Sequence, residues 1–293
     1  MISGGQSADH HKIRAYEEEK MGNIQQFAKK HTFIYCILAE IFVLGGMMLC
    51  SVAWQILFKN VPLGEYPLLA LQEACGALLA YAVLRQCGRG DVLAEKGIGF
   101  SKGLAVGGYF LVVGVIAAAA QLASYEGERL LRPGYEIVAF VVCMFLVGMT
   151  EEFLCRGAIA GLLLERYGAT KQGVWKAVIV SGILFGMAHL TNLIGADPVG
   201  VFVQCVVAGM MGMAFAAIYF RSGNIWVVVF LHGFIDLCGL ITSGLYGTGG
   251  ASEVISGYQL VQLIGVIYYV ILLAVLLRKK KMNEILMRMN PEQ

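Results

Sequence analysis

About eight stretches of roughly twenty mostly apolar residues, parted by short polar segments, leave this chain few folds to choose from, because a helix of that length spans a hydrocarbon layer. The stretches run near 33–58, 66–84, 103–124, 135–164, 176–193, 199–220, 225–245 and 258–277. Only 14 % of the residues are charged, where ordinary globular chains are about one quarter charged. Hydrophobic residues make up 58 %, and mean hydropathy is +0.71. A soluble protein is excluded. The expected fold is all-α: a polytopic transmembrane helical bundle of about eight spans, an integral multi-pass protein with the lipid bilayer as its partner. The fourth stretch is long enough to tilt or to project beyond the membrane.

Residues 1–32 read as a polar cytoplasmic tail. They carry Glu17-Glu18-Glu19-Lys20, and no apolar core begins before Thr32, so no signal peptide is expected. The pair His10-His11 reads as solvated tail rather than a metal site. Three N-terminal spans occupy 33–124, a core with buried polar groups 135–245, and a last span with a basic tail 258–293. Lys and Arg placement sets orientation. Arg85, Arg89, Lys96 and Lys102 share one loop, and Arg166, Lys171 and Lys176 another; Arg221 and the cluster from Arg278 to Lys281 fall on the same side. The opposite loops hold Lys59, Arg129 and Arg132, the last two beside Glu126 and Glu128. Both termini are therefore expected in the cytoplasm.

The net charge of +2 gives no reason to expect a nucleic acid, and none is expected. The eight cysteines form no CxxC pair and lie mostly in apolar runs, which suits small core residues better than a disulfide framework or zinc–thiolate site. Gly103-x-x-x-Gly107 and Gly182-x-x-x-Gly186 match the small-residue motif of helices packed closely in lipid.

Against this apolar background, Thr150-Glu151-Glu152-Phe153-Leu154-Cys155-Arg156 is out of place. Each charge at the centre of a span costs about 2.5–3.5 kcal/mol even on the mildest scale, so such groups default to function. Glu152 and Arg156 stand at i, i+4 with the acid first, the better order for a helical ion pair. Glu151, about 100° round the helix, is left as a carboxylate without a local partner. The bland alternative is an ion-paired kink. Farther on, Phe185-x-x-x-His189 is followed by Thr191 and Asn192, and His232-x-x-x-Asp236 puts an imidazole and a carboxylate on one helix face. A lone histidine in a span is more often a packing residue, but two ligands at i, i+4 can grip a metal. Glu40 and Glu73 are the notable ionisable groups elsewhere, each single in its span. Convergence of the three polar segments is the economical reading. A desolvated carboxylate without a cation suits a general base, and imidazoles orient water, bind metal or stabilise an oxyanion. The implied chemistry is hydrolysis by an activated water inside a membrane cavity.

Glu151-Glu152-x-x-x-Arg156, Phe185-x-x-x-His189 and His232-x-x-x-Asp236, in this order, resemble the CAAX-protease and bacteriocin-processing (CPBP) family. Arg221-Ser222-Gly223-Asn224-Ile225-Trp226 is similar to that family's lead-in to the last motif. The resemblance covers about residues 135–245. It implies an intramembrane endopeptidase with a cavity open to the cytoplasm, acting on membrane-associated peptides or proteins. Carried over by position, Glu151 would activate water, Glu152 and Arg156 would brace the site, His189 would share water activation, and His232 with Asp236 would complete it. The family has Asn or Asp at the last position; an ionised Asp cannot donate to an oxyanion, so Asp236 is protonated, binds metal or orients His232. The favoured reading is a site for zinc or another divalent metal built from Glu151 or Glu152, His189, His232 and Asp236, with a metal-free glutamate protease as the alternative. The compact chain looks like a prokaryotic plasma-membrane member. A non-hydrolytic binding or immunity module and a proton-coupled transporter are the competing functions; the latter would show inverted repeats and broken helices.

Overall fold

The structure, a computed structural model, describes residues 21–61, 63–247 and 251–289. Most of the expected polar tail, with His10, His11 and Glu17 to Lys20, lies outside the described residues. Those that are described fold into helices. The chain enters through α1 (Asn23–Lys30), continues into α2 (Thr32–Leu57), and returns in α3 (Glu65–Gln86). Two helices follow, α4 (Phe100–Val106) and α5 (Gly108–Ser124), then α6 (Gly134–Glu152), a π-helical stretch (Phe153–Ala160) and α7 (Gly161–Tyr167). Next come α8 (Lys171–Ala188) with a 3-10 turn (His189–Ile194), α9 (Pro198–Ser222), α10 (Ile225–Gly239) and α11 (Ile241–Tyr246). The chain ends in α12 (Ala251–Ser256), a 3-10 segment (Leu260–Gly265), α13 (Val266–Leu276) and α14 (Lys279–Met289).

The expected all-α membrane bundle is present, with differences at three spans. Among the described residues five helices are long and apolar enough to cross a membrane, and seven when each bent pair counts as one span. The third expected span bends by 69° between Val106 and Gly108, so α4 and α5 do not form one rod. The eighth, 258–277, starts as 3-10 helix at Leu260–Gly265, and the chain turns by 62° just past its end, where α13 meets α14. The seventh is shorter than expected: α10 has 15 residues and its ladder breaks at Leu240 before α11. At 1.5 Å per residue, fifteen residues rise about 22 Å, less than the roughly 30 Å hydrocarbon core. The long fourth span is one continuous run of 34 residues, Gly134–Tyr167, with the π turns in its middle.

Helix α6 is the centre of the bundle, packed against α3 on one side and α10 on the other. Gly148 sets the second contact. A Cβ there would lie 2.6 Å from the Val229 carbonyl oxygen and 3.0 Å from the Gly233 nitrogen, so only hydrogen lets the two backbones touch. That closeness brings the ends of α6 and α10, with their polar side chains, face to face. Both small-residue motifs also sit at helix contacts: Gly103 and Gly107 face Val227 and Leu231, while Gly182 and Gly186 face Gly209.

Candidate active site

Adjacent positions on a helix point about 100° apart, and the last two residues of α6 diverge accordingly. Glu152 turns inward and is 0 % exposed; Glu151 keeps 30 % of its side chain open and lines a cavity. The helix then widens. Phe153–Ala160 is π-helical with every residue buried, and such turns occur mostly at functional sites. From this wider turn Arg156 still reaches back to Glu152, Nη1 to Oε1 at 2.9 Å, forming the expected ion pair. The guanidinium is 1 % exposed and packed over the rings of Phe185 at 4.3 Å and Phe215 at 5.3 Å. Cation–π attraction offsets part of the desolvation that a buried charge suffers. Gly212 makes room for it, since a Cβ there would stand 2.8 Å from Phe185 and 3.2 Å from Arg156.

The same Glu152 oxygen, ion-paired with Arg156, accepts a hydrogen bond from His232. His232 of α10 is buried, and its Nδ1 lies 2.6 Å from Glu152 Oε1. Because a carboxylate only accepts, Nδ1 carries the proton and Nε2 is turned to the other side. There it meets Glu151 Oε2 at 3.4 Å and Asp236 Oδ2 at 3.5 Å. Of the three roles open to Asp236, its approach to His232 is the contact present.

His189 arrives from α8. The helix ends at Ala188, and His189 opens the 3-10 turn, its Nδ1 donating to the Phe185 carbonyl at 2.9 Å. That bond leaves Nε2 as the free ring nitrogen, able to accept from water. The Phe185 ring stands edge-on between the two imidazoles, its centroid 5.0 Å from that of His189 and 5.9 Å from that of His232. Thr191 and Asn192 line the cavity beyond, with Asn192 Nδ2 held by Gln204 Oε1 at 2.8 Å.

The structure therefore joins Glu151, Glu152, Arg156, His232 and Asp236 in one contact network. It ties His189 in through Phe185 and the shared cavity wall. Among the described residues no group of three or more His, Cys, Asp or Glu side chains is arranged to hold a metal ion. The ligand set Glu151, His189, His232 and Asp236 is thus not assembled as a cage, and Glu152 is committed to Arg156 and His232.

The cavity, about 220 Å³, is also lined by Glu40 of α2 and Glu73 of α3. Sequence reasoning set these two aside as single groups. Each was visible as a carboxyl in an apolar run, but nothing in sequence spacing connects 40 and 73 with 151. Contact geometry does: Thr150 Oγ1 donates to the Glu73 carbonyl at 3.0 Å, fastening α3 beside Glu151.

Residues 133–238 match the family described as type II CAAX prenyl endopeptidase, Rce1-like. The match agrees with the resemblance carried by the three motifs and contains all six candidate residues. No curated protein and no solved structure shows a significant match to the chain.

Proposed function

We propose, from the Rce1-like match over residues 133–238 and the side chains around Glu151, that this multi-pass membrane protein is an endopeptidase cleaving membrane-associated peptides. The observation that carries this reading is the clamped His232. One ring nitrogen is fixed by Glu152 at 2.6 Å while the other faces Asp236 and Glu151, and of these Glu151 lines a cavity of about 220 Å³.

In this reading a cavity water is oriented by Glu151 and by the free Nε2 of His189. Glu151 takes a proton as the water oxygen bonds to the scissile carbonyl carbon, and the carbonyl electron pair moves onto oxygen. His232, carrying a proton on Nε2, donates toward that developing charge and stabilises it, with Asp236 orienting the ring. Collapse breaks the C–N bond, and the leaving nitrogen takes the proton from Glu151. Glu152 and Arg156 touch no substrate; they hold His232 in place. None of these steps requires zinc. The metal-assisted form of the reaction would recruit Glu151, His189, His232 and Asp236 after rearrangement, and metal content with activity under chelator decides between the two. Following the Lys and Arg distribution, we place both termini in the cytoplasm; the prokaryotic plasma membrane is proposed from the likeness of the compact chain to prokaryotic members.

The test is cleavage of a quenched membrane-peptide library by the purified protein beside Glu151→Gln, His189→Ala and His232→Ala, each checked for folding by thermal shift. Cleavage by the wild type that is lost in all three supports the proposal. Folded wild type that binds library peptides yet releases no product would favour the non-hydrolytic binding module. Cleavage that survives in Glu151→Gln removes Glu151 as the base.

A further inference from the structure

The cavity beside Glu151 has an unbalanced wall. Glu40, Glu73 and Glu151 all line it, and among the described residues no lysine or arginine does and His189 is the one basic lining residue. Arg156, which does not line it, is ion-paired with Glu152. Glu40 and Glu73 are each 7 % exposed, and Glu40 Oε1 is buried without a hydrogen-bond partner. A buried acceptor left alone calls for a donor, and a carboxylate calls for a charged one. The rest of the wall is largely apolar, with Val43, Leu44 and Met47 following Glu40 along α2. An apolar sleeve ending in carboxylates matches the shape of a lysine or arginine side chain, an alkyl stem with a cationic tip. At about 220 Å³ the space is smaller than the roughly 300–1,000 Å³ of drug-sized ligand pockets, and so fits one side chain rather than a whole peptide.

We propose that Glu40 and Glu73 form a specificity subsite that takes a cationic side chain, lysine or arginine, of the substrate next to the scissile bond. The position of that side chain beside a cleaved bond rests on the peptidase reading; the cation site itself does not. Both residues lie outside the matched segment 133–238, so this selectivity is supplied by α2 and α3 rather than by the Rce1-like core.

The probe is n-butylammonium, a lysine side-chain mimic, compared with n-butanol, added to the full chain in nanodiscs while the thermal midpoint is followed. Ligands that bind only the folded state raise it saturably. Butylammonium should do so and butanol should not. Glu40→Gln, which keeps the size and removes the charge, should weaken butylammonium by about ten-fold or more, since losing one partner of a buried charge pair is costly. Leu44→Trp, which fills the sleeve and keeps both carboxyls, should abolish the shift, so the test survives if Glu40→Gln fails to fold. Equal shifts from the two probes in the wild type, or an undiminished butylammonium shift in both variants, would overturn the proposal. In parallel, peptides differing only by lysine or norleucine near the cleaved bond should differ in KM in the wild type, with the gap closing in Glu40→Gln. Selective butylammonium binding without cleavage of any peptide would remove the peptidase reading and leave the cation site. Cleavage without cation selectivity would do the reverse.

Discussion

At the residue scale, the two neighbouring glutamates divide the work by direction. Glu152 is sealed and gives one oxygen to both Arg156 and His232, while Glu151 opens on the cavity. Their substitutions should therefore fail differently. Glu151→Gln is expected to keep the thermal midpoint near that of the wild type and lower kcat by about 10²–10⁴-fold, the usual worth of a general base. Arg156→Ala strands the Glu152 charge and should cost about 3–5 kcal/mol of stability, read as loss of folded protein in a thermal scan. Arg156→Lys should recover only part, because an ammonium cannot lie flat between Phe185 and Phe215. For Asp236, the contact to His232 predicts that Asp236→Asn retains more cleavage than Asp236→Ala, measured as kcat/KM on one peptide.

At the element scale, the site depends on how closely α6 and α10 approach. The Gly148 contact with Val229 and Gly233 holds their polar ends together, and an alanine there has no space. Gly148→Ala should lower both the thermal midpoint and kcat. The control is Gly45→Ala in α2, where an added Cβ meets nothing within 4 Å. That change should be neutral or stabilise by up to about 1 kcal/mol, since glycine is a poor helix former. The π turn after Glu152 belongs to the same scale. The i, i+4 spacing of Glu152 and Arg156 announced their ion pair, yet no spacing rule announced that the intervening backbone would widen.

At the scale of the whole molecule, the number of crossings fixes the sides of the termini. An even number puts both ends together, and this turns on α10 with its 15 residues and on whether each of the two bent pairs crosses. If α10 and α11 together cross, reporters fused before Met1 and after Gln293 should share a side in a protease-protection assay. Opposite sides would mean that this segment or one of the two bent pairs does not cross. Polar side chains at the α10 end of the site, together with the neighbouring helices, allow a short helix to sit within the protein rather than against lipid.

What the sequence determined by itself was everything that hydropathy and short-range periodicity control. Runs of about twenty apolar residues forced helices in a bilayer, and charges within them marked Glu151, Glu152, Arg156, His189, His232 and Asp236 as the residues to watch. Those six stood out because they fall in three short motifs with one-turn spacing, which Glu40 and Glu73, each single in its apolar run, lack. The tertiary structure decided which groups meet. Glu152 shares one oxygen between Arg156 and His232, Phe185 separates two imidazoles, and Glu40 and Glu73 join Glu151 on one wall. These contacts link positions as far apart as 40 and 151, whose proximity is set by helix packing and by glycines at the crossings. No local pattern encodes a distance between helices, and for that reason the cavity and its acidic wall emerged only when the bundle was complete.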